Sequence, residues 1–323
     1  MNLRYHPDPE QRALAEGFER PIADLLPLAR VHVRRGETRH AWSGLAELGL
    51  FGIGADEGEG GAGLGMTEQA LLAERLGRAL AAPAVFATMI AVHCGINGGL
   101  SARLIAGETR VAAGFHSPRG IVVVDPADAE LFLLRGDEGG ILVRTDELGK
   151  LTPVDDRLWL AEIACVDAAP APAARLDAGT VLRAKVIDAA ALAGIAGAAL
   201  AMAVAYAGVR EQFGRPIGSF QAVKHHCANM AMAARAANDQ LTFAAVAFEQ
   251  GRGDAPLQVE SALVLAIEAA IGNARINIQV HGGIGFSDEA DPHLLLKRAH
   301  LQATIAGGGE GARFRLAAAA SAL

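Results

Sequence analysis

Two stretches of this sequence place chemically capable residues close together. Residues 210–221 read REQFGRPIGSFQ, which puts a guanidinium (Arg210), an amide (Gln212), an aromatic ring (Phe213) and a Gly-Arg-Pro step within one short segment. Arginine pairs with phosphate through a planar fork of donors, and a phenyl ring offers a flat face to another ring. Gly214 and Pro216 both interrupt helices, so the step marks a corner between helical segments. Taken alone, the stretch reads equally well as an ordinary helix-to-helix turn with a surface arginine. Residues 279–287, QVHGGIGFS, place glycines on both sides of Ile284. Glycine lets backbone approach a ligand or a second chain closely.

The rest of the chain must position these stretches. Its 323 residues suffice for two or three packed layers around a large core. The hydrophobic share is 51% but the aromatic share only 5%, so Ala, Leu, Val and Ile must build that core, which favours closely packed helices. The formal net charge of −7, without a basic run, argues against a nucleic-acid partner. Cys94, Cys165 and Cys227 are far apart and odd in number, giving neither a metal spacing nor a disulfide framework. That usage predicts a reducing, cytoplasmic setting. The N-terminal residues MNLRYHPDPEQ hold no apolar run, so no signal peptide is expected. Residues 189–209 carry no charge over 21 positions, long enough to span a bilayer. They are mostly Ala and Gly without aromatic ends, so a buried helix is the preferred reading and no membrane span is expected.

Taken in order, Asp8, Pro9 and Gln11 read as a capped helix start, with Pro21 ending or kinking that helix. Trp42, Leu45 and Leu48 repeat at helical spacing. A glycine-rich loop, FGIGADEGEGGAGLG, follows without the Lys-Ser/Thr of a phosphate-binding P-loop. Thr67 and Ser101 read as caps of further helices, and Pro83 as a stop. Residues 1–110 therefore read as a helical domain. From 111 to 175 short β-forming runs broken by Gly, Pro and Asp read as a small antiparallel sheet, and residues 169–174 as a linker. Residues 176–323 return to helix, with long segments near 179–212, 219–251, 256–280 and 291–305 that read as a four-helix bundle.

The two glycine-bearing stretches resemble the R-x-x-F-G-x-x-I-x-x-F-Q and Q-x-x-G-G-x-G-F signatures of the flavin-dependent acyl-CoA dehydrogenase family. The resemblance extends over nearly the whole chain. It implies a mainly α fold with an N-terminal helical domain, a central β domain and a C-terminal four-helix bundle, assembled through the bundle. It implies FAD as cofactor, an acyl-CoA thioester as substrate, and an electron-transferring flavoprotein as acceptor. By the same resemblance Arg210 looks like the arginine that reaches the FAD pyrophosphate. Gln212 and Phe213 match positions contacting the adenosine half, and Ile217 and Gln221 match those lining adenine and ribose. Gln279, Gly282 and Gly283 match the loop along the diphosphate. The residue types agree with those roles, although Phe213 and Ile217 could equally be core and Arg210 a helix cap. The segment SDEADPHLLLKRAH is similar to a W-E-H-D-x-H-L-Y-L-K-R-A segment from a branch that includes subunits of mixed tetramers. There Asp291 reads as an N-cap with Pro292 at the first helical position.

Two departures shape the functional expectation. The family's T-E-P-x-A-G-S-D-like and W-[IVL]-[TS] segments contact the flavin ring, but here the region reads GFHSPRGIVVVDPAD and then ELFLLRG, in a shortened sheet domain. The family's I-Y-E-G-T glutamate position is occupied by Gly307, with Glu310 three residues on and read as a solvated loop carboxylate. The alternative glutamate position, before the REQFG stretch, is Ala184. Asp188 follows one turn later on the same face, read as either a buried functional carboxylate or a solvent-facing helix-start residue. His225 and His226, being adjacent, cannot share a helix face as a metal pair, and His281 lies beside the glycine pair. The expectation is a subunit of a heterotetrameric acyl-CoA dehydrogenase of lipid metabolism. It would supply the adenosine side of the FAD site while a full-length partner supplies the ring pocket and base; its own catalytic residue is unassigned and no metal is expected. Alternatives are a self-sufficient homo-oligomer using Asp188 or Glu310, and a scaffold that has lost flavin.

Overall fold

Asp8 opens the first helix by accepting from the Gln11 amide at 2.9 Å, while the Gln11 side chain accepts from the Asp8 amide at 3.0 Å. This reciprocal box starts α1 (Pro9–Leu25) with Pro9 at a position whose N–H has no helical partner anyway. Contrary to expectation, α1 continues through Pro21. The carbonyl that Pro21 leaves without a helical partner belongs to Gly17, which is exposed, so no buried polar group is stranded. The computed structural model describes residues 5–33, 37–95, 99–118, 120–136, 139–148, 150–154, 160–166 and 171–321. Part of the expected linker at 169–174 lies outside these.

Helices α2 (Arg30–Val33), α3 (Arg39–Glu47), α4 (Met66–Arg78), α5 (Pro83–Ala91) and α6 (Leu100–Ile105) complete the N-terminal part. Three capping expectations are corrected here. Gly65, not Thr67, is the N-cap of α4, because the Thr67 hydroxyl turns to Glu249 at 3.4 Å. Gly99, not Ser101, precedes α6, and Ser101 bonds Glu59 instead. Pro83 starts α5 rather than stopping a helix.

Strands β1 (Arg110–Ser117), β2 (Gly120–Val124), β3 (Ala129–Gly136), β4 (Gly139–Arg144), β5 (Thr152–Pro153), β6 (Ile163–Val166) and β7 (Ala174–Arg175) form one sheet in the order β5-β6-β2-β1-β3-β4-β7. The sheet is mixed, not antiparallel as expected: β1 and β3 run parallel. After the β1–β2 hairpin the chain crosses to the far side of β1 through a short turn with positive φ at Asp125 (57°) and Asp128 (59°). Composition specifies strands, but not the side on which the next strand lands. Alternation along β3 serves both faces. Leu131 and Leu133 enter the main core, whereas Phe132 and Leu134 enter a second core with Ala112, Val123 and Val143.

The remaining chain is helical: α7 (Ala178–Val209), a two-strand ribbon of β8 (Glu211–Gln212) and β9 (Arg215–Pro216), then α8 (Gln221–Glu249), α9 (Ala255–His281), α10 (Pro292–Ile305) and α11 (Gly308–Ser321). Helix α11 is an addition to the four expected long helices and packs on α9. Asp177 caps α7 by accepting from the Thr180 amide at 2.7 Å. By length and composition α7 and residues Ala255–Phe286 are each apolar enough to cross a membrane. Helix α7 is instead 78% buried over its apolar window, among α4, α8, α9 and α10. Its small residues explain the closeness. A Cβ on Gly194 would collide with the Glu74 carbonyl, and one on Gly77 with the Ala191 carbonyl, so backbones of α4 and α7 nearly touch at two points.

Candidate functional site

The Arg210 stretch forms a ribbon at the end of α7. The Arg210 amide closes the helix on Tyr206 at 2.9 Å, and the Ile217 amide returns to the Arg210 carbonyl at 2.7 Å. Between them β8 and β9 pair in an antiparallel ribbon whose two central residues, Phe213 (φ 54°) and Gly214 (φ 75°), both take left-handed conformations. Two positive φ values in a two-residue loop make the tight hairpin turn that matches strand twist. Glycine adopts this freely, but phenylalanine pays a strain of about 1–2 kcal/mol. Phe213 gains no burial in return, being 91% exposed. Phe220 braces the ribbon, lying edge-on to Phe213 with centroids 6.1 Å apart and under the Arg215 guanidinium at 4.2 Å.

Arg210, Gln212 and Gln221 are exposed, whereas Ile217 is half-buried and packs against the main core. Gln212 donates to the Glu211 carbonyl at 2.8 Å. At the end of α9, Gly282 (φ 66°) and Gly283 are exposed, and no atom lies within 4 Å of the place a Cβ would occupy on either. Gln279 is exposed one half-turn away from His281. A cavity of about 490 Å³ brings Arg210 together with His281 and Ile284. The His281 ring stacks on Tyr206 at 4.0 Å, with its Nδ1 2.8 Å from the Asn277 carbonyl. Gln279, Gly282 and Phe213 are not among its walls. Exposed apolar side chains gather on the same part of the protein: Val209 (78%), Phe286 (74%) and Ile284 (54%) join Phe213. His225 and His226 are both exposed on α8. Asp291 is the N-cap residue of α10 with Pro292 at the first helical position, as expected, but its carboxylate pairs with His32 at 2.7 Å instead of bonding the helix amides. Among the described residues no group of three metal-ligating side chains exists.

A second cavity, about 440 Å³, lies between the sheet, α7, α10 and α11. Its walls include Phe115–Pro118 from β1 and beyond, and Gly307 from the α10–α11 turn. Asp188 is there, fully buried and on the α7 wall, so the solvent-facing reading of it is corrected. Arg135 of β3 grips it with both terminal nitrogens, at 2.5 and 3.0 Å, and the Gln302 amide of α10 donates to it at 2.9 Å. These partners occupy both carboxylate oxygens. Lys185, one turn before Asp188 on α7, pairs with the buried Glu260, which also accepts from Arg315 at 3.1 Å. Glu310 sits exposed in the first turn of α11 and is not a wall of the cavity. The residues missed from sequence are Arg135 and Gln302. An arginine ending an apolar strand run was the one available signal.

Behind the sheet lies another buried charged cluster. Asp125 is 7% exposed, and burial pushes its carboxyl up to about 7, against the partial offset of the Arg298 charge and of the Ala84 and Glu162 backbone. Arg298 of α10, 2% exposed, bonds the Leu160 carbonyl at 3.1 Å, and burial lowers its guanidinium to about 10. Arg30 and Glu37 pair nearby at 2.8 Å, and Glu37 also accepts from the Ala82 amide at 2.8 Å.

Residues 8–102 match the family model for the acyl-CoA dehydrogenase N-terminal domain, and residues 180–321 match the acyl-CoA dehydrogenase C-terminal domain. This chain belongs to the acyl-CoA dehydrogenase family. The two matches flank the sheet, the region in which the sequence departs from the family's flavin-contacting segments. Members of this family are oxidoreductases that use FAD. The acyl-CoA dehydrogenase FadE34 of Mycobacterium tuberculosis is 35% identical over 291 residues, covering 81% of this chain. This chain spans only 39% of the length of FadE34. The acyl-CoA dehydrogenase IpdE2 of the same organism is 32% identical over 289 residues, 84% of this chain and 83% of IpdE2. Among solved structures, a variant of the Tcur3481–Tcur3483 steroid ACAD matches with a TM-score of 0.81 at 25% identity, covering 97% of this chain and 98% of that one. The ChsE4–ChsE5 complex from Mycobacterium tuberculosis shares the fold at a TM-score of 0.79 and 20% identity, covering 99% of each chain.

The fit to FAD differs between the two ends of an acyl-CoA dehydrogenase site. At the adenosine end, an exposed guanidinium, an exposed aromatic face and two glycines with open space above them suit a nucleotide diphosphate. At the ring end, the cavity wall carries a closed Arg135–Asp188–Gln302 cluster, and glycine stands where the family resemblance expects a carboxylate. Among the described residues, the carboxylate that lines this cavity, Asp188, is held by Arg135 and Gln302.

Proposed function

We propose that this chain is one subunit of a hetero-oligomeric, FAD-dependent acyl-CoA dehydrogenase acting on an acyl-CoA thioester in the reducing cytoplasm. In this reading Arg210 holds the cofactor's pyrophosphate, Gln212, Phe213, Ile217 and Gln221 lie along its adenosine half, and Gln279, Gly282 and Gly283 line the diphosphate. A full-length partner subunit supplies the ring pocket and the carboxylate that takes the α-proton. FAD held by these residues would supply hydride acceptance from the β-carbon of the acyl chain, with an electron-transferring flavoprotein as the onward acceptor. The observation that carries the reading is the contrast between the outward-facing Phe213 ribbon and the closed Arg135–Asp188–Gln302 cluster. A large ring held in a strained turn and left in solvent suits a surface covered by another chain. The ChsE4–ChsE5 structure is a complex of two chains, and the Tcur3481–Tcur3483 structure is a steroid ACAD, which supports a mixed assembly and a bulky, sterol-type acyl group.

The test is expression of the chain alone and together with a neighbouring full-length homologue, followed by absorption spectroscopy. Flavin absorbance is expected only in the co-purified complex, and Arg210→Ala in this chain should reduce the flavin per complex. If the chain alone binds FAD stoichiometrically and oxidises an acyl-CoA, the proposal fails.

A further inference from the structure

A third concavity, of about 500 Å³, shares no lining residue with either site and lies between the start of α1, α4 and the second half of α8. Its charge runs against the rest of the chain. Four guanidiniums, Arg12, Arg75, Arg78 and Arg235, face it against two carboxylates, Glu74 and Asp239, in a protein of net charge −7. The pairing inside it is uneven. Arg235 is matched by Asp239 at 2.7 Å. The buried Glu74 is shared by two arginines, Arg75 and Arg78, the latter at 2.7 Å. Glu19, on α1 outside the cavity, also acts on Arg78. The Arg75 Nε–H remains buried without a partner. The Arg12 backbone amide bonds the Asp8 carbonyl at 3.1 Å, while its side chain makes no hydrogen bond or ion pair among the described residues. Leu71 and Leu241 give the cavity an apolar floor, with the polar side chains of Asn238 and Thr242 beside it.

We propose that this cavity is a binding site for a phosphate monoester carrying a small, partly apolar body. A surplus of two positive charges in the cavity matches a phosphate dianion. The exposed Arg12 guanidinium supplies donors with the fork geometry that phosphate oxygens accept, and Arg75 and Arg78 add positive charge along the wall. The apolar floor takes the body of the ligand, and the cavity volume falls in the range of small-molecule sites, roughly 300–1,000 Å³. The site owes nothing to the FAD half-site, so either can fail without the other.

Phenyl phosphate, inorganic phosphate and phenol are suitable probes for calorimetric titration of the full chain. Phenyl phosphate should bind saturably. Inorganic phosphate should bind at least several-fold more weakly, and phenol should not bind. If inorganic phosphate binds as tightly as phenyl phosphate, the assigned ligand class is wrong. Arg12→Ala, at an exposed position that leaves folding intact, should weaken phenyl phosphate about tenfold, and Arg75→Gln should do the same. Arg210→Ala should leave binding unchanged. The proposal is overturned by an absence of saturable binding, by affinity that survives both Arg12→Ala and Arg75→Gln, or by affinity lost with Arg210→Ala.

Discussion

Replacing Arg135 by Met should destabilise the protein by about 3–5 kcal/mol, the range for removing one partner from a buried ion pair. The structure places this pair at the severe end. The Asp188 side chain is 0% exposed and that of Arg135 12%, so the guanidinium stands between the carboxylate and the neighbouring cavity. After substitution the carboxylate keeps one neutral donor, the Gln302 amide at 2.9 Å. The double replacement Arg135→Met with Asp188→Leu removes both charges and should cost less than the single change. What remains is the stranded Gln302 side chain, a loss of about 1–3 kcal/mol. Urea unfolding followed by circular dichroism at pH 7 would give all three values and the coupling between the two sites. A single-substitution loss below about 1 kcal/mol, or additive effects of the two changes, would show that solvent reaches the pair and that the closed-cluster argument is wrong. The same cluster carries a functional corollary. In an assembled, flavin-loaded complex, Asp188→Asn should lower stability while leaving turnover per flavin intact, as the proposed partner-borne base requires. Loss of turnover with unchanged stability would identify Asp188 as the base.

Three further outcomes follow from other contacts. Gly194→Ala should destabilise by about 1–3 kcal/mol, since the added methyl meets the Glu74 carbonyl and the α4–α7 seam must open; thermal unfolding reads this directly. Burial raises the Asp125 carboxyl to about 7, above its unfolded value near 3.8, so the native state holds a proton that the unfolded chain has released across that window. Its contribution to stability therefore falls as pH rises from about 4 to 7 and levels off above, and Asp125→Asn should gain on the natural chain by up to about 2–3 kcal/mol between pH 5 and 7 in paired denaturation curves. Phe213→Ala should leave unfolding within about 0.5 kcal/mol of the natural chain, as expected for an exposed side chain, yet weaken co-purification with the partner.

The residues show why some of this architecture was legible in sequence. Asp8 with Gln11, and the glycine and proline of the Arg210 stretch, act through backbone geometry within a few positions, so their meaning travels with the local sequence. The Ala-rich run of α7 pointed to a buried helix because its small residues, without aromatic ends, suit close helix packing better than a lipid-facing surface. What stayed hidden depends on partners distant along the chain. The parallel β1–β3 pairing is decided by which side of β1 the chain takes after Asp125. Thr67 looked like a cap, but Glu249, 182 positions away, claims its hydroxyl. Asp188 could be marked as unusual, yet its state is set by Arg135 and Gln302, 53 and 114 positions distant. The residues of the Arg210 stretch were marked by type and spacing, while a cavity that reaches Arg210 adds Tyr206 beside His281, which spacing did not connect.

The protruding Phe213 ribbon also bears on how a cell must make this protein. An orphan copy displays a greasy fingertip that folding alone cannot tuck away. Surplus copies would adhere to one another or be cleared by quality control, so synthesis is best matched in amount and timing to whatever chain caps that tip.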